Sequence, residues 1–344
     1  MHGGNIYDKT IDYDFSVNLN PLGCPEAVRT ALANSLAHAD RYPDPEQREA
    51  RRLIARAEGV EETQVIGGNG ASELISGIVR MLRPKRVLLA TPGFTGYRHA
   101  LFAVPDCRVD IYELKEEKDF LLDEGILDRI TSACDLLILT NPNNPTGRCI
   151  DAPLLDRIAE RCAETETAFL LDESFLKMTG NGVSLTNRID NYDGLYIVSG
   201  YTKLFALPGV RIGYAVSQEQ NIRRLAQNLP EWNMSVMAQE TACEAARVLA
   251  ETDFMKQTLA TIEAERAFLS NELEKLGVRV FPSDTSFLLL QSGRALYEEL
   301  LEKRILVRGC GDYDGLSERF TRVAVKDHEA NIALIEALTE IMRE

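Results

Sequence analysis

Short apolar runs alternate with amphipathic stretches along the first two thirds of the chain. The runs lie at 63–66, 86–91, 108–114, 136–140, 168–171, 195–199 and 212–216. Between most of them apolar residues recur at i, i+3 and i+4, most regularly over 71–82 and 152–164, which predicts helices. Strand–helix alternation predicts a mainly parallel sheet covered on both faces, with ligands beyond the carboxyl ends of its strands.

Near residue 235 the pattern changes. One long helical stretch is predicted to about 276, followed by short strands at 279–281 and 287–290. An amphipathic piece to Lys303, strands at 305–307 and 320–325 and a final helix complete a smaller α+β unit. The first 25 residues are rich in Asn, Gly and Pro and too polar for a core, so they are expected to lie beside that unit as an arm near its cleft. The division reads as arm 1–25, large domain 26–235 and small domain 236–344.

Charge narrows the partners. With 38 Lys and Arg against 53 Asp and Glu, the formal charge is −15, which argues against nucleic acid and anionic membranes as partners. It leaves small anions open, because a few local arginines suffice for them. No apolar run approaches the roughly 18 residues of a membrane helix, and the opening Met1-His2-Gly3-Gly4-Asn5 lacks a secretory pattern, so a cytoplasmic enzyme is expected. Seven scattered cysteines without a C-x-x-C pair point to reduced thiols, and four scattered histidines give no metal-ligand spacing, so no metal is expected.

Four segments carry candidate chemistry. Gly67-Gly68-Asn69-Gly70 sits between a strand and a helix, where free backbone N–H groups favour an anion; a tight capped turn is the equal alternative. Asn141-Pro142-Asn143-Asn144-Pro145-Thr146-Gly147 follows an apolar strand as a rigid loop. Asp172 ends a buried strand and needs a partner. Lys203, in Ser199-Gly200-Tyr201-Thr202-Lys203, is a candidate amine nucleophile, with Arg211 eight residues later as an anion ligand. Singly, the proline-rich loop could be structural, and a solvated Lys and a surface Arg are the better readings of Lys203 and Arg211.

Together, N-P-N-N-P-T-G, the strand-ending Asp and T-K-x(4)-P-G-x-R-x-G resemble the fold-type I pyridoxal 5′-phosphate (PLP) enzymes of the aspartate aminotransferase superfamily, over essentially the whole chain. The resemblance implies the PLP-dependent transferase-like α/β fold, with a mostly parallel seven-stranded sheet between helices and a smaller C-terminal α+β domain. It implies a Schiff base of PLP on Lys203, Asp172 on the pyridine nitrogen and Asn144 on the phenolic oxygen. The cofactor phosphate would fall to Gly68, Asn69, Gly70, Thr202 and Arg211, and the ring face to Phe94. Tyr42, in Arg41-Tyr42-Pro43-Asp44, matches a tyrosine that reaches the neighbouring subunit's site, which implies a homodimer; as a residue alone it reads as a loop aromatic. Two positions depart from the pattern. Gly200 stands where relatives carry Ser or Thr for the phosphate, so either Ser199 substitutes or one bond is missing. Phe175 stands where many carry a Tyr that also bonds the phenolic oxygen, leaving that contact to Asn144.

Within the superfamily, R-Y-P-D-P and G-N-G are most similar to the histidinol-phosphate aminotransferase subgroup, which includes the threonine-phosphate decarboxylases. His2-Gly3-Gly4-Asn5, the segment from Asp14 to Gly23, and the segment from Ile305 to Val325 resemble the decarboxylases. They imply substrate contacts from His2, Gly3, Asn18, Asn144, Arg308 and Arg322. A phosphorylated amino acid carries a phosphate and a carboxylate, so it needs two cationic anchors, and Arg308 and Arg322 suit them. The implied activity is decarboxylation of O-phospho-L-threonine, or O-phospho-L-serine, to an amino-alcohol phosphate for the cobalamin pathway. A transaminase of the histidinol-phosphate type, using 2-oxoglutarate and glutamate, is the alternative.

Overall fold

The computed structural model describes residues 3–343. Thirteen strands form among the described residues. The first is β1 (Tyr13–Asp14); β2 (Val65–Asn69), β3 (Arg86–Thr91), β4 (Arg108–Glu113), β5 (Leu136–Thr140), β6 (Ala168–Asp172), β7 (Leu195–Gly200) and β8 (Ile212–Val216) follow. The rest are β9 (Arg279–Val280), β10 (Phe287–Gln291), β11 (Ile305–Leu306), β12 (Arg308–Gly309) and β13 (Phe320–Ala324).

Strands β2 to β8 make one sheet in the order β2-β8-β7-β6-β5-β3-β4. Only β8 runs against its neighbours, so the expected mainly parallel seven-stranded sheet is what forms. Its middle strands are apolar on both faces (Leu136-Leu137-Ile138-Leu139 are all buried) because helices cover both sides. The helices Ala71–Leu82 and Ala152–Glu164 have the predicted limits. The first buries Leu74, Ile75, Ile78 and Val79 on one stripe and stops where Arg83 turns left-handed.

Two boundaries differ from expectation. Strand β2 runs on to Asn69, so Gly67 and Gly68 belong to the sheet. Side chains there would run into Gln47 and Leu74, and their absence lets β2 lie flat beside β8. The long C-terminal helical stretch is two helices, Val236–Glu251 and Phe254–Lys275. Between them the Thr252 hydroxyl bonds back to the Val248 carbonyl and accepts from the Phe254 N–H, ending one helix and starting the next.

A second, antiparallel sheet, β12-β13-β10-β9, lies under the helices Phe254–Lys275 and His328–Ile341. The N-terminal arm is less peripheral than its polarity suggests. β1 pairs in parallel with β11, and Phe15 is completely buried in the small unit's core. Its neighbours stay polar because the arm then crosses the cleft between the sheets. All seven cysteines are free thiols, five of them buried.

Candidate active site

One cleft of about 240 Å³ opens where the carboxyl ends of β3, β5, β6 and β7 meet the small sheet and the arm. It brings together Phe94, Asn144, Asp172, Thr202, Lys203, Arg211, Gly3, Asn18, Arg308 and Arg322, residues spread from position 3 to 322. His2 lies outside the described residues.

Lys203 follows β7 in a single helical turn, Tyr201–Leu204. Burial, then the charges of Arg322 and Arg211, pull its pKa down to about 8. About a tenth of the amine is therefore neutral at pH 7, far more than for an ordinary lysine. Asp172 ends β6; burial pushes its pKa up, opposed by hydrogen bonds from the Ser174 backbone N–H (2.9 Å) and the Tyr97 hydroxyl (2.8 Å). Asn144 accepts from Arg322 through Oδ1 (2.6 Å), which leaves its Nδ2 as the group free to donate into the cleft.

The amides free to cradle an anion lie just beyond Gly68-Asn69-Gly70. Asn69 is exposed and its N–H donates to Glu73 Oε2 (2.7 Å), while the Gly70 N–H donates to the Gly68 carbonyl (2.7 Å). The free amides are those of Ala71 and Ser72, the first turn of a 12-residue helix, and both residues line the cleft. Arg211 closes the cradle. Its guanidinium lies against Gly70, which sits at φ 78° and where any Cβ would collide with it.

Ser199 does not compensate for Gly200. Its hydroxyl points away from the cleft and donates to the Glu173 carbonyl (3.3 Å). A Cβ at Gly200 would stand 2.7 Å from the Ile212 carbonyl oxygen, so the strand crossing itself excludes the usual Ser or Thr. Thr202 lines the cleft, but its hydroxyl donates to the same Ile212 carbonyl (3.0 Å). Phe94 and Phe175 both line the cleft. Tyr42 does not: it is 78% exposed and packs against Trp232, with ring centroids 4.7 Å apart and planes tilted by 35°.

The two arginines differ. They are register partners on β12 and β13, so both project from one face of the small sheet. Arg322 is buried and donates to Asn144 and to the Ser16 carbonyl (2.6 Å). Its Nε has no partner among the described residues, and neither does the buried Oδ1 of Asn18. Arg308 is ion-paired to Asp312 (2.8 Å), donates to the Gly309 carbonyl and lies 4.8 Å over the Tyr313 ring. Sequence reasoning missed Tyr97, Thr140, Ser72 and Ser16. Tyr97 follows Phe94 by one helical turn, the only signal it leaves in the sequence.

The sequence model of the aminotransferase class I and II family matches residues 10–338, and the chain belongs to that family. The threonine-phosphate decarboxylase of Salmonella typhimurium is 32% identical over 354 residues, 99% of this chain and 96% of that one. Among solved structures, the histidinol-phosphate aminotransferase of Clostridium acetobutylicum superposes with a TM-score of 0.88 at 29% identity, covering 96% of this chain and 99% of that one. The L-threonine-O-3-phosphate decarboxylase of Porphyromonas gingivalis gives 0.85 at 26% identity, with coverage of 96% and 99%. The family's cofactor is PLP, and this cleft fits it. One cavity holds an anion cradle at a helix N-terminus, an aromatic ring, a buried carboxylate, an amide donor and an amine of lowered pKa.

Proposed function

We propose that this class I and II family member decarboxylates O-phospho-L-threonine, or O-phospho-L-serine, to an amino-alcohol phosphate; its relatives named threonine-phosphate decarboxylase support the first of these substrates. One observation carries the reading: Arg308 and Arg322 stand side by side on one face of the small sheet, with the arm's Gly3 and Asn18 beside them. That pairing suits a substrate with two anionic ends. Arg322, with no acidic ion-pair partner among the described residues and one unused N–H, would take the carboxylate together with Asn144. Arg308, shared with Asp312, would take the phosphate beside Gly3 and Asn18.

When bound, PLP supplies an electron sink for the bond broken at the substrate Cα. Lys203 Nζ would hold the cofactor and, after CO₂ has left, return a proton to Cα, which its pKa of about 8 permits at neutral pH. Asp172 would face the ring nitrogen, Asn144 Nδ2 the phenolic oxygen, Phe94 the ring, and Ala71, Ser72 and Arg211 the cofactor phosphate. The outcome then depends on which Cα bond the arginines hold across the ring. The exposed Tyr42 would complete the neighbouring subunit's site in a homodimer.

The test is incubation with phosphothreonine without a keto acid. CO₂ release and repeated turnover are expected. Turnover that requires 2-oxoglutarate and yields glutamate replaces this reading with transamination, to which the likeness to a histidinol-phosphate aminotransferase corresponds.

A further inference from the structure

Asp172 is buried at the end of β6, and among the described residues no Lys or Arg forms an ion pair with it. Neutral groups alone hold it. On one side the Ser174 backbone N–H meets Oδ1 at 2.9 Å; on the other the Tyr97 hydroxyl meets Oδ2 at 2.8 Å. Tyr97 is itself buried, and its oxygen lies 2.6 Å from the Thr140 hydroxyl. Thr140 is the register partner of Asp172 on the adjacent strand β5, so both ends of this relay are set by the sheet. The helix Gly96–Leu101 sets its middle. The Phe94 ring lies edge-on to Tyr97, with centroids 5.4 Å apart at 85°, and a Cβ at Gly96 would strike that ring. One short segment thus delivers an aromatic face to the cleft and a hydroxyl to the carboxylate behind it.

A tyrosine that donates to Asp172 must take its own second bond from a donor, and Thr140 is that donor. The order Thr140 → Tyr97 → Asp172 uses each proton once. We propose that Tyr97, oriented by Thr140, is a positioning residue for Asp172, fixing the carboxylate so that its remaining lone pairs accept from the ring nitrogen of PLP. The inference rests on the PLP reading above. It deepens that reading by naming what prepares the acid for the cofactor.

Burial drives the Asp172 pKa up, and the hydrogen bonds from Ser174 and Tyr97 pull it down. Tyr313 faces Tyr97 from the loop after β12, and the cleft that Asp172 lines also carries Lys203, Arg211, Arg308 and Arg322. Removing the hydroxyl leaves burial less opposed. The carboxylate is then protonated at a higher pH, and its attraction for a protonated ring nitrogen fails earlier on acidification.

The experiment is a titration of the apo protein with PLP, read by cofactor absorbance across pH. It is repeated with the deaza analogue of PLP, whose ring nitrogen is a C–H. Tyr97→Phe is expected to weaken PLP binding about tenfold and to move the acid limb of binding up by about one pH unit, as for a lost bond to a charged acceptor. Binding of the deaza analogue should be unchanged, because it offers Asp172 no N–H. Thr140→Val, which removes only the orienting hydroxyl, should shift the limb in the same direction by less; it carries the test if Tyr97→Phe does not fold. Equal weakening of both ligands, or an unmoved acid limb, overturns this assignment alone. Wild-type protein that binds neither ligand overturns the functional reading and this assignment with it.

Discussion

At Lys203 one number governs reactivity. An amine attacks only when neutral, and burial beside Arg322 and Arg211 brings its pKa to about 8. Capture of PLP by the apo protein, followed as growth of visible absorbance after mixing, should rise about tenfold per pH unit below about 8 and level off above it. A midpoint near the ordinary lysine value of about 10.4 would mean that the amine is not desolvated as the structure has it. Lys203, Asp172, Asn144 and Arg211, singled out in the sequence by motifs at strand ends, all line one cleft. For Ser199, Asn69 and Gly70 the sequence names the residue but not whether the proton of its hydroxyl or amide is unspent. Ser199 spends its proton on the Glu173 carbonyl, Asn69 on Glu73 and Gly70 on Gly68.

Between elements, two glycines decide how closely the cofactor loop lies on the sheet. Gly200 and Gly213 face each other across β7 and β8, and a Cβ at Gly213 would stand 2.5 Å from the Ala71 nitrogen. Backbone there cannot yield as a side-chain tip can. Gly213→Ala should therefore push the first turn of the helix Ala71–Leu82 off the sheet, loosening the free amides of Ala71 and Ser72. About tenfold weaker PLP binding is expected, the loss of roughly one charge-assisted hydrogen bond. Binding of pyridoxal, which has no phosphate, should change little. An equal effect on both would place the damage outside the cradle. The helices Ala71–Leu82 and Ala152–Glu164 were predicted to the residue, since their apolar stripes are uninterrupted. The break at Thr252 escaped notice because the apolar pattern continues through it and only side-chain capping divides it.

Across the molecule the arm is the link between the sheets. The Phe15 N–H donates to Leu306 and its carbonyl accepts from Ala324, anchoring it in the small unit, and the Ser16 carbonyl takes Arg322. Four residues on, Asn20 uses its backbone N–H on the Lys203 carbonyl and its Nδ2 on the Leu204 carbonyl and Thr258. Arg322 and Lys203 are thus tied to one short segment. Phe15→Ala should cost about 3–5 kcal/mol in unfolding free energy, measured in denaturant, through the cavity it leaves. It should also weaken phosphothreonine binding while the pH midpoint of PLP capture stays near about 8. A variant that keeps wild-type stability would show that the arm is not part of the core.

By itself the sequence determined the sheet and its mainly parallel order, which follow from local periodicity and survive in one dimension. Its motifs, taken together, carried the resemblance that implied the cofactor class. The tertiary structure alone decided which polar groups remain free to act. It set Arg322 apart from an Asp312-paired Arg308, placed Tyr97 behind Asp172 and made Phe15 core in a polar arm. The physical reason is that hydrogen-bonding capacity and burial are spent on neighbours distant in the chain. Arg322 and Asn144 lie 178 residues apart, and no spacing rule reaches across that distance.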